Sequence, residues 1–208
     1  MKRMAMACMS LVLLAACATK SPVATARPSQ CGYDKAAMLA LDENAFDQDL
    51  SNGGGGWRKI ANIAGCEVAA ADLIAAYKKK HGLDKPILNW HEGQMRASAG
   101  QTERAIALLS SAKKNEVGQE AWNAYVDATV AFLRKDKPVL LAARERLMKV
   151  PTPDVLGPVK DGYVEVSMDN GQKMKMRWPM NIEVVDGLVT CFDRPYRQAY
   201  GSDCRPKQ

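Results

Sequence analysis

The sequence predicts a mainly α-helical domain that ends in a small β-hairpin and a last helix. Between residues 66 and 150, apolar residues recur at the helical period, which indicates successive amphipathic helices. Proline stands where two of these helices would begin, and glycine follows the end of another. After residue 150 the pattern changes to alternating residues around an Asn-Gly turn, which is typical of a hairpin.

Four apolar stripes support the helical part. Pro86 and Pro138 mark first turns, and Gly82 follows a helix that ends at His81. The stripes are Cys66, Ala70, Leu73, Ile74 and Tyr77; Ala105, Leu108, Leu109 and Ala112; Trp122, Val126, Thr129, Val130 and Leu133; and Leu140, Ala143, Leu147 and Val150.

The C-terminal part, residues 151–208, is predicted to form a cap on the helices. Residues 163–168 and 173–178 alternate with period two on either side of a turn at Asp169-Asn170-Gly171. Asn181 would then cap a last helix that Pro195 ends. The apolar face of that helix would carry Ile182, Val185, Val189 and Phe192. We expect this segment to cover the open end of the helical stack.

The helices also show a repeat. Gly65, Gly100 and Asp136 fall at the turns inside three successive helix pairs, 35 and 36 residues apart. In the clearest unit, residues 86–117, the small and apolar positions are Gly93, Gly100, Ala105, Leu109 and Ala112. The spacing is similar to that of the tetratricopeptide repeat, and the resemblance implies stacked helical hairpins that form an α-α superhelix.

This resemblance covers residues 57–150 and is uneven. The first unit has four glycines at residues 53–56 in place of most of its first helix, and we expect these to form a flexible loop. The third unit has Leu141 where alanine is expected. A helical bundle without a true repeat is the alternative.

The N-terminus has the pattern of an export signal. Lys2 and Arg3 precede an apolar run over residues 4–16, which is too short to span a membrane. The sequence Leu14-Ala15-Ala16-Cys17 that ends it resembles the lipobox of bacterial lipoproteins. This resemblance implies cleavage after Ala16 and acylation of Cys17. An ordinary secretory signal or an interfacial helix are the alternatives.

The lipobox sets the expected organisation of the chain. Residues 1–16 would be the signal peptide, 17–30 a lipidated flexible tether, and 31–150 the helical domain. The acyl chains on Cys17 would hold the protein stably on a membrane, because stable anchoring takes at least two chains. By resemblance to Gram-negative lipoproteins, Ala18 after the cysteine implies the outer membrane, with the domain facing the periplasm.

Charge and cysteines fit an exported protein. The formal charge of +6 includes Lys2 and Arg3, and residues 1–16 hold no acidic residue, so the mature chain carries +4. This mild charge and the exported location argue against nucleic acid as a partner, and we interpret Lys78–Lys80 as a solvated helix end. The four remaining cysteines allow three disulfide pairings. We favour Cys31 with Cys66 and Cys191 with Cys204, because each closes a local loop.

Few residues suggest catalysis. His91 and Glu92 begin like a zinc-protease motif, but the second histidine is replaced by Met95. His81 next to Gly82 suggests a partner of the helix dipole. Neither a nucleophile elbow nor a phosphate-binding loop occurs, and we expect neither a metal nor a cofactor. Acidic pairs such as Asp42 with Glu43 and Asp47 with Asp49 are expected on solvated surface.

The better candidates are for binding. In tetratricopeptide arrays the first helix of each pair lines a concave groove, and this resemblance places Trp90, Gln94, Asn123 and Asp127 in it. Such a groove would hold an extended peptide. The alternative for Trp90 is packing in the core, which is the usual place of aromatic residues at helical spacing. The scaffold hypothesis in this form requires Trp90 and Gln94 to be accessible. If both are buried and no trough is present it fails, whereas membrane anchoring through Cys17 does not depend on it.

The expected function is therefore that of an envelope scaffold that binds a protein or peptide at the membrane surface, and not that of an enzyme. One alternative is an envelope enzyme that acts on peptidoglycan, which would need a buried acid in a cleft, with Glu92 as the candidate. Another is an immunity lipoprotein that neutralises a toxin.

Overall fold

The computed structural model describes residues 28–167 and 173–206, and within them the predicted fold class is confirmed. The signal segment, Cys17 and the hairpin turn lie outside the described residues, as does all of the predicted tether except its last three residues. The elements are α1 (Lys35–Ala40), α2 (Arg58–Ala61), α3 (Glu67–His81), α4 (Pro86–Ser98), α5 (Thr102–Ser111), α6 (Glu120–Leu133), α7 (Lys137–Met148), β1 (Tyr163–Ser167), β2 (Lys173–Arg177), α8 (Ile182–Thr190) and α9 (Tyr196–Tyr200).

The helix ends follow the local sequence closely. Gly82 ends α3 in the left-handed conformation with φ of 63°, which favours glycine because it has no Cβ. Pro86 is the first residue of α4, where the missing N–H of proline leaves no helical hydrogen bond unmade. Asp136 caps α7, since its carboxylate accepts from the N–H of Val139 at 3.1 Å.

The glycine run is tightly packed, so the prediction of a flexible loop is wrong. Gly54, Gly55 and Gly56 are buried. A Cβ on Gly55 would lie 2.9 Å from the Ala45 carbonyl oxygen, and one on Gly56 would overlap the Phe46 carbonyl. Glycine is required here because the backbone of the preceding turn passes through the space that a side chain would fill.

Two groups of buried residues form the core. The first joins the N-terminal segment to α3 and includes Phe46, whose ring stacks on Tyr77 at 3.7 Å between centroids. The second extends from α4 to α9 and contains both helical-domain and C-terminal residues. The core is therefore continuous across residue 150, where the sequence pattern changes.

The C-terminal segment differs in part from its prediction. β1 and β2 pair antiparallel as expected, and α8 begins after Asn181. Asn181 is in the left-handed conformation and its side chain makes no capping hydrogen bond, so its predicted capping role is wrong. Pro195 precedes α9, a short helix that was not predicted. α8 packs against α6 and α7, whereas α9 contacts α4.

Both favoured disulfides are present. Cys31 is bonded to Cys66, which ties the N-terminal segment to the start of α3. Cys191 is bonded to Cys204, which closes the C-terminal segment over α9. The pairing by local loops is confirmed.

Candidate functional site

The face of α4 that was expected to line a groove is covered. Only 3% of Trp90 and 9% of Gln94 is exposed. The Trp90 ring contacts Tyr125 at 4.8 Å and Trp122 at 5.0 Å between centroids, as part of the larger core. The prediction that Trp90 and Gln94 line an accessible groove is wrong, and for Trp90 the alternative of core packing holds.

The chain's own C-terminal segment covers this face. Tyr196 of α9 is buried in the same core, and burial raises the pKa of its hydroxyl well above the usual 10.0, against a smaller opposing effect of the Gln94 amide. Arg197 adds an ion pair to Glu67 at the start of α3, at 2.5 Å. The C-terminal segment thus packs against the face of α4 that carries Gln94, which a pattern confined to residues 57–150 could not reveal.

The other two predicted groove residues have structural partners. The Asn123 side chain accepts from the Lys114 N–H at 2.9 Å and donates to the Lys114 carbonyl at 2.7 Å, so it holds the loop before α6. Asp127 is paired with Lys113 at 2.6 Å and with Arg146 at 2.9 Å. Of the four predicted residues, Trp90 and Gln94 are therefore buried, and Asn123 and Asp127 have partners within the chain.

His91 belongs to a buried polar cluster around Asp47. The prediction that Asp47 lies on solvated surface is therefore wrong. The Asp47 carboxylate is 1% exposed and accepts from His91 Nδ1 at 2.7 Å and from Trp57 Nε1 at 2.8 Å. Burial by itself would raise the pKa of Asp47, but these hydrogen bonds and the charges of His91 and Arg58 outweigh it, so the pKa lies below 3.8.

This cluster joins the N-terminal segment to α4. Arg58 also donates to the backbone carbonyl of Asp47. Within residues 28–167 and 173–206, no group of three or more metal-ligating side chains could hold a metal ion. His81, the second histidine, is exposed at the end of α3, and its ring contacts the Leu39 carbonyl at 3.0 Å. Both histidines thus have structural contacts.

Glu92 is buried beside a cleft, as the enzyme alternative required. Its carboxylate lies 2.9 Å from Lys78 Nζ, 3.3 Å from Arg96 and 3.2 Å from Arg104. Both of its oxygens are occupied by cations, which argues for a role in holding these side chains and against one as an acid catalyst. The Lys78 side chain, which pairs with Glu92, is only 15% exposed. The interpretation of Lys78–Lys80 as a solvated helix end is therefore wrong for Lys78.

An open cleft of about 720 Å³ lies between α3 and α5, with Glu92 of α4 at its floor. Exposed Lys79 and Arg104 stand on its two helices. Apolar side chains form much of the remaining lining. These are Ala75, Leu83, Ala107 and Leu108. The cleft combines cationic edges with an apolar surface, which suits a polypeptide better than a small reactive substrate.

Sequence reasoning missed this cleft. Its lining comes from three helices and one loop, and the charged residues are separated by up to 26 positions. The nearest signal was the i, i+4 spacing of Glu92 and Arg96 on α4, which predicts a local pair but not its burial.

The comparisons with known proteins provide no further identification. No family model matches the chain, and no curated protein or solved structure was found that matches it. Among the helices in the described part of the chain, none is both long and apolar enough to cross a membrane. A functional conclusion therefore depends on the residues themselves.

Proposed function

We propose that the protein is an envelope lipoprotein that binds a protein or peptide partner at the membrane surface. The supporting observation is the open cleft between α3 and α5, whose lining carries both apolar and cationic side chains. The face that tetratricopeptide arrays use for peptides is filled in this chain, so the scaffold would bind through its other side.

The helices that line the cleft are joined to one another by ion pairs and packing. The Glu92 carboxylate joins α3 to α5 through Lys78 and Arg104, and α4 packs against both helices. A partner would therefore meet a preformed surface and would not have to order it, which lowers the entropic cost of association.

The partner can be sought directly in the envelope. A photoreactive amino acid at position 107, inside the cleft, should form adducts with a partner in intact cells. Position 139 on α7, where Val139 is 46% exposed, is a matched control outside the cleft and should form none. Repeated absence of adducts at position 107, or equal adducts at both positions, would contradict the proposal.

Membrane attachment is tested separately. The proposed anchor is the acylated Cys17, in the outer membrane with the domain facing the periplasm, and it is supported by the lipobox resemblance. Cys17→Ser should move the protein from the membrane fraction to the soluble fraction. Cys8→Ser, inside the proposed signal, is the matched control and should leave the distribution unchanged. Membrane retention of the Cys17→Ser protein would argue against lipid anchoring.

A further inference from the structure

We infer that the cleft between α3 and α5 binds an acidic segment of a polypeptide, which it holds through Lys79 and Arg104. This inference rests on the proposed scaffold function and adds the chemistry of the partner. It follows from the distribution of charge in the cleft, from the donors that remain available there, and from the apolar surface between them.

The first argument is the balance of charge. The cleft is lined by three cations, Lys78, Lys79 and Arg104, and by two carboxylates, Glu92 and Asp84. Glu92 is buried against Lys78, Arg96 and Arg104, so its charge is largely neutralised before any ligand arrives. Arg96 is shared with Asp72 of α3, at 2.6 Å. Asp84 is exposed, so the lining as a whole carries three positive charges and two negative ones. The net charge of +1 would attract carboxylates.

The second argument is the presence of unused donors. Arg104 contacts Glu92 through one terminal nitrogen, and its side chain is 55% exposed. A guanidinium has five N–H donors in a fixed plane, so Arg104 can bind a second carboxylate while it keeps Glu92. Lys79 is exposed and has no ion-pair partner among the residues that the structure describes. The two side chains stand on opposite helices of the cleft, where they can hold carboxylates of one extended segment.

The third argument is the apolar surface between these cations. Leu83, from the loop after α3, and Leu108 of α5 are half-buried and line the cleft with two alanines. An aliphatic side chain of the partner would bury apolar area against them, which favours association. The fitting ligand is therefore a segment in which acidic residues alternate with aliphatic ones, and not a free anion.

Binding of short labelled peptides to the purified mature chain tests the inference. The first probe alternates leucine and glutamate, and two matched probes replace glutamate by glutamine or by lysine. We expect fluorescence anisotropy to show binding of the glutamate peptide, weaker binding of the glutamine peptide, and none of the lysine peptide. Added salt should weaken the first interaction, since exposed charges are screened.

Charge variants locate the site. Lys79→Glu reverses an exposed charge in the cleft. It should weaken binding of the glutamate peptide about two- to tenfold, as expected for the loss and reversal of one exposed ion pair. Lys149→Glu makes the same change after α7, outside the cleft, and should alter the affinity by less than about twofold through the screened field. Circular dichroism of both variants controls for folding.

Several outcomes would overturn the inference. The first two are equal binding of the three peptides and equal effects of the two substitutions. The third is a dimer of the chain that Lys79→Glu dissociates, because the occupant of the cleft would then be a second copy. If adducts form at position 107 in the envelope but the purified chain shows no preference for the acidic peptide, the proposed scaffold function stands and the acidic chemistry of its partner is rejected. Absence of both adducts and peptide binding would reject both proposals.

Discussion

The buried carboxylate of Glu92 is the clearest single test of how the cleft is built. Glu92→Gln keeps the size of the side chain but removes the charge that faces Lys78, Arg96 and Arg104 at 2.9 to 3.3 Å. Arg96 is only 1% exposed, and after the substitution its charge would be balanced by Asp72 alone, a side chain that is 59% exposed. The variant therefore leaves a buried cation with less compensation.

The magnitude follows from these distances. Opposite charges about 3 Å apart attract by roughly 5 kcal/mol at an effective dielectric constant of about 20. Desolvation of the ions offsets much of this gain, and removal of one member of a buried pair costs about 3–5 kcal/mol. For a chain of this size, each kcal/mol lowers Tm by about 2–4 °C, so we expect a loss of roughly 6–20 °C.

Urea unfolding followed by far-ultraviolet circular dichroism measures the effect. Glu103→Gln is the matched control, because Glu103 lies exposed in the first turn of α5 and should change stability by less than about 0.5 kcal/mol. The slope of the unfolding free energy against urea concentration should be the same for the unsubstituted protein, Glu92→Gln and Glu103→Gln. A loss below about 1 kcal/mol for Glu92→Gln, or one equal to that of the control, would refute the proposed role of Glu92 in the described network.

Three further predictions concern stability. Folding lowers the pKa of Asp47, so the stabilising contribution of its carboxylate is present above about pH 4 and is lost as the pH falls through the folded pKa. Asp47→Asn should therefore make the fall of the urea midpoint with decreasing pH shallower. An unchanged pH profile would contradict this. Gly82→Ala, with open space around it, should lower the unfolding free energy by about 1–2 kcal/mol, the cost of a left-handed residue other than glycine. Gly56→Ala should cost more, because its Cβ would also overlap the Phe46 carbonyl. Equal losses in thermal unfolding would argue against close packing at Gly56. Joint replacement of Cys191 and Cys204 by serine should lower the unfolding free energy by about 3 kcal/mol, and no loss in urea titration would show that their loop adds nothing.

The helical part of the fold was predictable because its signals are local. The apolar stripe from Cys66 to Tyr77 is read within one helix, and Gly82 and Pro86 mark a helix end and a helix start by their own backbone chemistry. The disulfide pairing also followed from short separations along the chain.

The contacts that determine whether the predicted groove is open were not predictable in this way. Asp47 meets His91 across 44 positions, and α9, which packs against α4 beside Gln94, comes from residues beyond 190. Nothing in the spacing of α4 distinguishes a face that solvent reaches from one that a distant segment covers. Long-range packing therefore closed the expected groove, and it also assembled the α3–α5 cleft from separate elements.

The most direct test of where this protein binds is a two-dimensional NMR titration of the labelled mature chain with the glutamate-containing peptide. We predict that the perturbed amides cluster at the end of α3, in the loop around Leu83 and on α5, whereas the indole signals of Trp90 and Trp122 stay in place. Movement of those two indole signals, together with changes in α9, would contradict the account, because it would mean that the ligand displaces the C-terminal segment from the face it covers.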